Sequence, residues 1–100
     1  MSQWQLRDYT IKDGQFERFL EAWQKGVPPL RHQFGFEVQA WAVPDESRLV
    51  WVLRYDGPGS FDDADRRYYD SPERRALKPD PGQWVANKRE VMVGALECRR

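Results

Sequence analysis

The run Leu49-Val50-Trp51-Val52-Leu53-Arg54-Tyr55 is rich in β-branched and aromatic residues and nearly continuous in apolar character. A strand with one wet face alternates, whereas one that stays apolar at consecutive positions is covered on both sides, as a central strand is. Just upstream, Phe36 to Val43 reads as a second strand, and the turn Pro44-Asp45-Glu46-Ser47 joins the two as a hairpin. Gly57-Pro58-Gly59 ends the apolar run.

Moving outward, Trp4 to Lys12 alternates imperfectly, with Trp4 and Leu6 on one face and Arg7, Tyr9 and Ile11 tending to the other, until Asp13-Gly14 breaks it. From Gln15 the period changes to that of a helix: Phe16, Phe19, Leu20, Trp23, Val27 and Leu30 form one apolar stripe opposite Glu17, Arg18, Glu21 and Gln24. Gly26 and Pro28-Pro29 predict a kink or restart, because an interior proline removes a donor and clashes with the turn before it, and Gly35 is placed to end the helix. Downstream, Ser60 caps a short helix from Phe61 to about Asp70, with Asp62 and Asp63 complementing its dipole. Ser71-Pro72-Glu73 repeats the start signal for a brief helix to Leu77, Gln83 to Asn87 predicts one more turn, and Glu90 to Leu96 reads as the last strand.

The order is strand, helix, strand, strand, helix, strand. Short right-handed connections fold that order into a ferredoxin-like βαββαβ sandwich, an α+β fold with two helices on one face of a four-stranded antiparallel sheet. A chain of 100 residues buries only about two-thirds of its unfolded surface, enough for one core, so residues 1–100 are read as a single domain. The other sheet face receives Trp41, Val43 and either Trp51 or the pair Val50 and Val52, which is too apolar for water. The economical cover is a second copy packed sheet to sheet, forming a homodimer.

Composition narrows the function classes. Sixteen basic side chains balance sixteen acidic ones, so no field favours phosphate backbones, and no nucleic acid is expected as a partner. No segment approaches the ~20 apolar residues that span a bilayer, and the opening Met-Ser-Gln-Trp has no apolar signal region, so no membrane is expected and the location read is cytoplasmic. The lone Cys98 excludes an intrachain disulfide and fits a reducing compartment. Five Trp, four Tyr and five Phe are many rings for so small a body, and some are expected to face a partner or a ligand.

Three stretches carry a family likeness. Leu6-Arg7-Asp8-Tyr9-Thr10-Ile11-Lys12 with Gly14, the hairpin around Val50 to Tyr55, and Tyr68-Tyr69-Asp70-Ser71-Pro72-Glu73-Arg74 resemble the NIPSNAP family, over nearly the whole chain. That family is similar in fold to the dimeric α/β-barrel superfamily, which includes antibiotic-biosynthesis monooxygenases, haem-degrading monooxygenases and muconolactone isomerases. The resemblance implies a homodimeric barrel and little about chemistry, since that scaffold hosts unrelated activities.

Period-two alternation can set Arg7, Tyr9, Gln39, Trp41 and Arg54 on the sheet face away from the helices, where flat rings and a few donors would line a pocket. Two arginines under aromatic cover suit a carboxylate or enolate. Equally open is that Arg7 and Arg54 form ion pairs across the dimer with Glu37 or Asp8. Tyr68 either leans over the pocket mouth as a donor or packs in the core. His32, the sole histidine, falls off the apolar stripe and reads as a surface residue. One histidine and one distant cysteine make no zinc set, Asp62, Asp63 and Asp65 read as a solvated helix start, and Gly57-Pro58-Gly59 is a turn without phosphate donors. No metal or cofactor is expected, and no catalytic residue is assigned. Binding of a small aromatic or enolisable molecule leads, with a cofactor-independent monooxygenase or isomerase as the alternative.

Overall fold

The computed structural model describes residues 2–98. Strand β1 (Gln3–Ile11) leads to helix α1 (Phe16–Gln33), the hairpin β2 (Phe36–Val43) and β3 (Arg48–Tyr55), the helices α2 (Phe61–Asp70) and α3 (Pro72–Arg75), and strand β4 (Val85–Val93). The strands lie in the order β2-β3-β1-β4 with each neighbouring pair antiparallel. This is the ferredoxin-like α+β sandwich, and the apolar run of β3 is indeed central, paired to β2 on one side and β1 on the other.

Register sorts the side chains by face. One row across the sheet reads Ala40, Trp51, Arg7, Glu90, and the next reads Trp41, Val50, Asp8, Arg89. The first row faces the helices, because Leu49, Trp51, Leu53 and Tyr55 of β3 and Arg7, Tyr9 and Ile11 of β1 are all buried. They meet Phe19, Trp23, Val27 and Leu30 of α1 and Phe61, Ala64 and Tyr68 of α2 in one core. Trp51 therefore belongs to the core, and Val50 and Val52 take the opposite face.

That opposite face is bare in the single chain. The molecule measures 41 × 39 × 19 Å, and the short dimension holds one sheet and one layer of helices. Trp41, Val91 and Val93 are exposed on it, Trp41 by 54%. Among the described residues no helix is long and apolar enough to cross a membrane.

Two elements differ from their sequence expectation. Helix α1 runs unbroken through Pro28 and Pro29. The carbonyls those prolines leave without a donor belong to Gln24 and Lys25, one turn back, and both residues are exposed, so water can serve them. Gly26, read as part of a break, lies inside the helix where Leu77 packs against it: an added Cβ would stand 3.2 Å from a Leu77 methyl. Gly35 does follow the end of the helix, at φ +90°, and its N–H donates to the His32 carbonyl at 3.1 Å. Finally, β4 spans Val85–Val93 instead of 90–96. It is an edge strand exposed along almost its whole length, so its first half, Ala86-Asn87-Lys88-Arg89, lacks the alternation by which a strand is recognised.

Both capping serines act as read. The Ser60 hydroxyl accepts from the Asp63 N–H and that of Ser71 from the Arg74 N–H, each at 3.1 Å. The buried Ser71 also donates to the Tyr68 carbonyl at 2.7 Å, which fixes α3 against the end of α2.

Candidate functional site

The helix-side face of the sheet does not close completely on the helices. Between them lies a cavity of about 360 Å³, walled by Tyr9 and Trp51 from the sheet and by Phe19, Trp23, Val27 and Arg31 from α1. Tyr68 and Tyr69 of α2, Arg74 of α3, and Pro81, Gly82 and residues 85–88 complete the wall. The four α1 residues recur at intervals of four, so they line one side of the helix and point the same way. Its volume and aromatic walls are those of a small-molecule site. Among the described residues no acidic side chain lines it.

Behind the wall is a cluster of buried charge. Arg7 and Arg31 are essentially without solvent exposure. Asp65 accepts from both: Arg7 Nη2 reaches its two carboxylate oxygens at 3.1 Å each, and Arg31 Nη1 reaches Oδ1 at 2.7 Å. Arg7 Nε donates to Gln5 Oε1 at 2.7 Å, and its Nη1 donates to the hydroxyls of Tyr9 at 3.2 Å and Tyr69 at 2.8 Å and lies 3.2 Å from Glu90. Arg7 thus spends its donors within the protein. Arg31 does not, for its Nε and Nη2 have no partner among the described residues. Its guanidinium instead stacks 3.8 Å from the Tyr68 ring centre, a contact that desolvation strengthens.

Burial acts against the Arg7 charge, but the Tyr69 and Tyr9 phenols, Asp65 and Glu90 outweigh it and hold the group above its ordinary pKa. Burial pushes the Tyr9 phenol up, helped by Tyr69 and opposed by Arg7, and it pushes Tyr68 up as well. The indole N–H groups of Trp23 and Trp51, whose rings meet edge to face at 5.1 Å, and the Tyr68 hydroxyl are also buried without a partner. Residues that wall the cavity therefore hold several buried donors without a partner among the described residues.

The structure divides the six residues read from the sequence as site candidates. Tyr9 and Tyr68 line the cavity and Arg7 lies directly behind it, on the helix side. Gln39, Trp41 and Arg54 lie on the opposite face, in register with Val52, Val50 and Trp4 respectively. Placing all the sheet residues on one face away from the helices is thus corrected. Tyr9 and Ile11 are needed by the core, and period two carries Arg7 with them. Within the chain, Asp8 pairs with Arg48 at 2.9 Å and Glu37 lies 3.6 Å from His32. Arg54 meets Asp56 at 2.9 Å. His32 is exposed, as read. Asp65 is not part of a solvated helix start, since it binds both buried arginines. No group of residues suited to a metal ion occurs among the described residues.

Two outcomes follow from this charge cluster. Asp65→Asn leaves two buried guanidiniums short of a counter-ion and should cost about 3 kcal/mol of stability, read as a lower urea midpoint; an unchanged midpoint would contradict the pairing. The second is alkaline. A phenol whose pKa is raised by folding contributes stability that is present below its unfolded value of about 10 and is lost as the pH rises beyond it. Thermal unfolding between pH 8 and about 11 should show stability falling with pH, with a shallower fall in Tyr9→Phe. Parallel curves would contradict the burial of that hydroxyl.

No family model matches the sequence, and no curated protein does. Solved structures do share the fold. An uncharacterised NIPSNAP domain protein from Burkholderia xenovorans superimposes with a TM-score of 0.78 at 20% identity, over 100% of both chains. A NIPSNAP family protein from Agrobacterium tumefaciens gives 0.80 at 9% identity, over 97% of this chain and 95% of that one. A protein described as a candidate antibiotic biosynthesis monooxygenase from Nitrosomonas europaea gives 0.70 at 15%, over 95% and 90%. What is shared at such identities is the fold, and that fold is the one found in the NIPSNAP proteins its motifs resemble.

Proposed function

We propose that this chain is a NIPSNAP-like protein of the cytoplasm that binds a small aromatic or enolisable molecule in the helix-side cavity and works as a homodimer without a metal or cofactor. The observation that carries the binding reading is the cavity itself: about 360 Å³, walled by aromatic rings from four elements, with buried donors in its lining residues that no group among the described residues uses. Native interiors rarely leave such groups unsatisfied, and a ligand is one reason they do. Tyr9 and Tyr68 are the proposed contacts among the residues named from the sequence, with Arg7 fixing Tyr9 and Tyr69 from behind.

Gln39, Trp41 and Arg54 serve the other half of this proposal. They surround Leu6, Val50, Val52, Val91 and Val93 on the outer sheet face, a patch suited to a second copy packed sheet to sheet. The cavity and the outer face lie on opposite sides of one sheet, so dimerisation would support the site without filling it.

Ala86 is exposed at the cavity rim, so Ala86→Phe narrows the entrance without disturbing the core. Titration calorimetry with planar aromatic compounds should show binding to the wild type and a loss of about tenfold or more in the variant. Equal affinity in both would move the binding site elsewhere. Mass analysis of the same mixtures separates binding from turnover, since a new product would favour the monooxygenase or isomerase alternative. For the dimer, sedimentation equilibrium should give twice the 11.9 kDa chain mass in the wild type and the single-chain mass in Val52→Lys. A wild-type monomer at micromolar concentration would contradict it.

A further inference from the structure

The cavity also carries information about the charge of its occupant. Among the described residues three cationic side chains, Arg31, Arg74 and Lys88, line it, and no carboxylate does. The acids that neutralise the arginines stand outside the wall. Asp65 and Glu90 answer Arg7 and Arg31, and Asp80 answers Arg74 at 3.1 Å. Lys88 has no ionic partner among the described residues. The space between the walls thus sees guanidinium and ammonium groups in front and carboxylates behind, with one positive charge in excess.

Hydrogen bonding points the same way. Arg31 is fully buried, and two of its nitrogens are without acceptors, as is Nε of Arg74. Trp23 and Trp51 add two indole donors that cannot serve as acceptors at nitrogen. An anionic ligand answers the excess positive charge of this wall, and a neutral ligand of the same shape leaves it unanswered. We propose that the cavity selects a planar monoanion, a carboxylate or an enolate, over the neutral amide of the same shape. The inference rests on reading the cavity as a ligand site.

Calorimetric titration of the full chain at pH 7 with 1-naphthoate and with 1-naphthamide tests it. In the wild type the carboxylate should bind about tenfold or more tightly, as a charge-assisted hydrogen bond provides. Lys88→Met, at an exposed rim position, and Arg74→Met should each reduce that preference about threefold or more, the carboxylate losing more affinity than the amide. Circular dichroism confirms that each variant is folded. Equal affinities in the wild type, or a preference for the amide, would overturn the anion inference and leave the cavity as a binding site. Binding of neither compound would overturn both.

Discussion

One carboxylate, Asp65, holds two buried guanidiniums, and much of the architecture around the cavity follows from that. Moving two arginines from water into a protein interior is costly, and it is tolerated only when their charges and hydrogen bonds are met. Among the described residues, Asp65 is the only acid to which both Arg7 of the sheet and Arg31 of α1 bond. It therefore ties β1, α1 and α2 at one point. The guanidiniums cannot leave without unpairing the acid, and the helices cannot slide without separating the guanidiniums.

The two arginines are used differently, and that difference makes the site. Arg7 is saturated by Gln5, Tyr9, Tyr69, Glu90 and Asp65 and acts as a structural hub. Arg31 gives one nitrogen to Asp65, lays its flat face on Tyr68 and keeps the rest of its donors free. A planar donor fixed in orientation by stacking and by an ion pair has little freedom left to lose on meeting an acceptor. The cavity is thus prepared by the same contact that holds the helices in place.

The sequence revealed the scaffold more fully than the site, for a physical reason. Strand β3 was legible because two covered faces leave no polar gap in it, and the serine caps because a hydroxyl three residues before an orphan N–H has little other use. The faces of β1 were legible as well, with Trp4 and Leu6 opposite Arg7, Tyr9 and Ile11. Which of them met the helices was not, since an arginine beside a tyrosine suggests a wet or ligand-facing surface until the ion pair that buries it is known. Arg31 is hard to single out from the sequence, because it sits between Leu30 and His32 near the end of α1. A signal was present: Phe19, Trp23, Val27 and Arg31 continue one series of four. Asp65 likewise follows Phe61 by four residues and precedes Tyr68 by three, which places it on the covered side of α2. Charged residues on an apolar stripe are the feature to seek, because partners distant in sequence are what make them possible. Strand β4 was mislocated for the opposite reason, as an edge exposed on both faces carries no period at all.

The claim that one guanidinium is locked and the other kept for the ligand can be read directly at nitrogen. Arginine side-chain NMR resolves individual Nε–H groups, and here the Arg7 Nε–H donates to Gln5 at 2.7 Å while that of Arg31 has no acceptor. On titration with 1-naphthoate the Arg31 Nε–H resonance should move progressively to saturation and that of Arg7 should stay in place. Movement of Arg7 alone, or a still Arg31 resonance under conditions where calorimetry shows binding, would contradict the account.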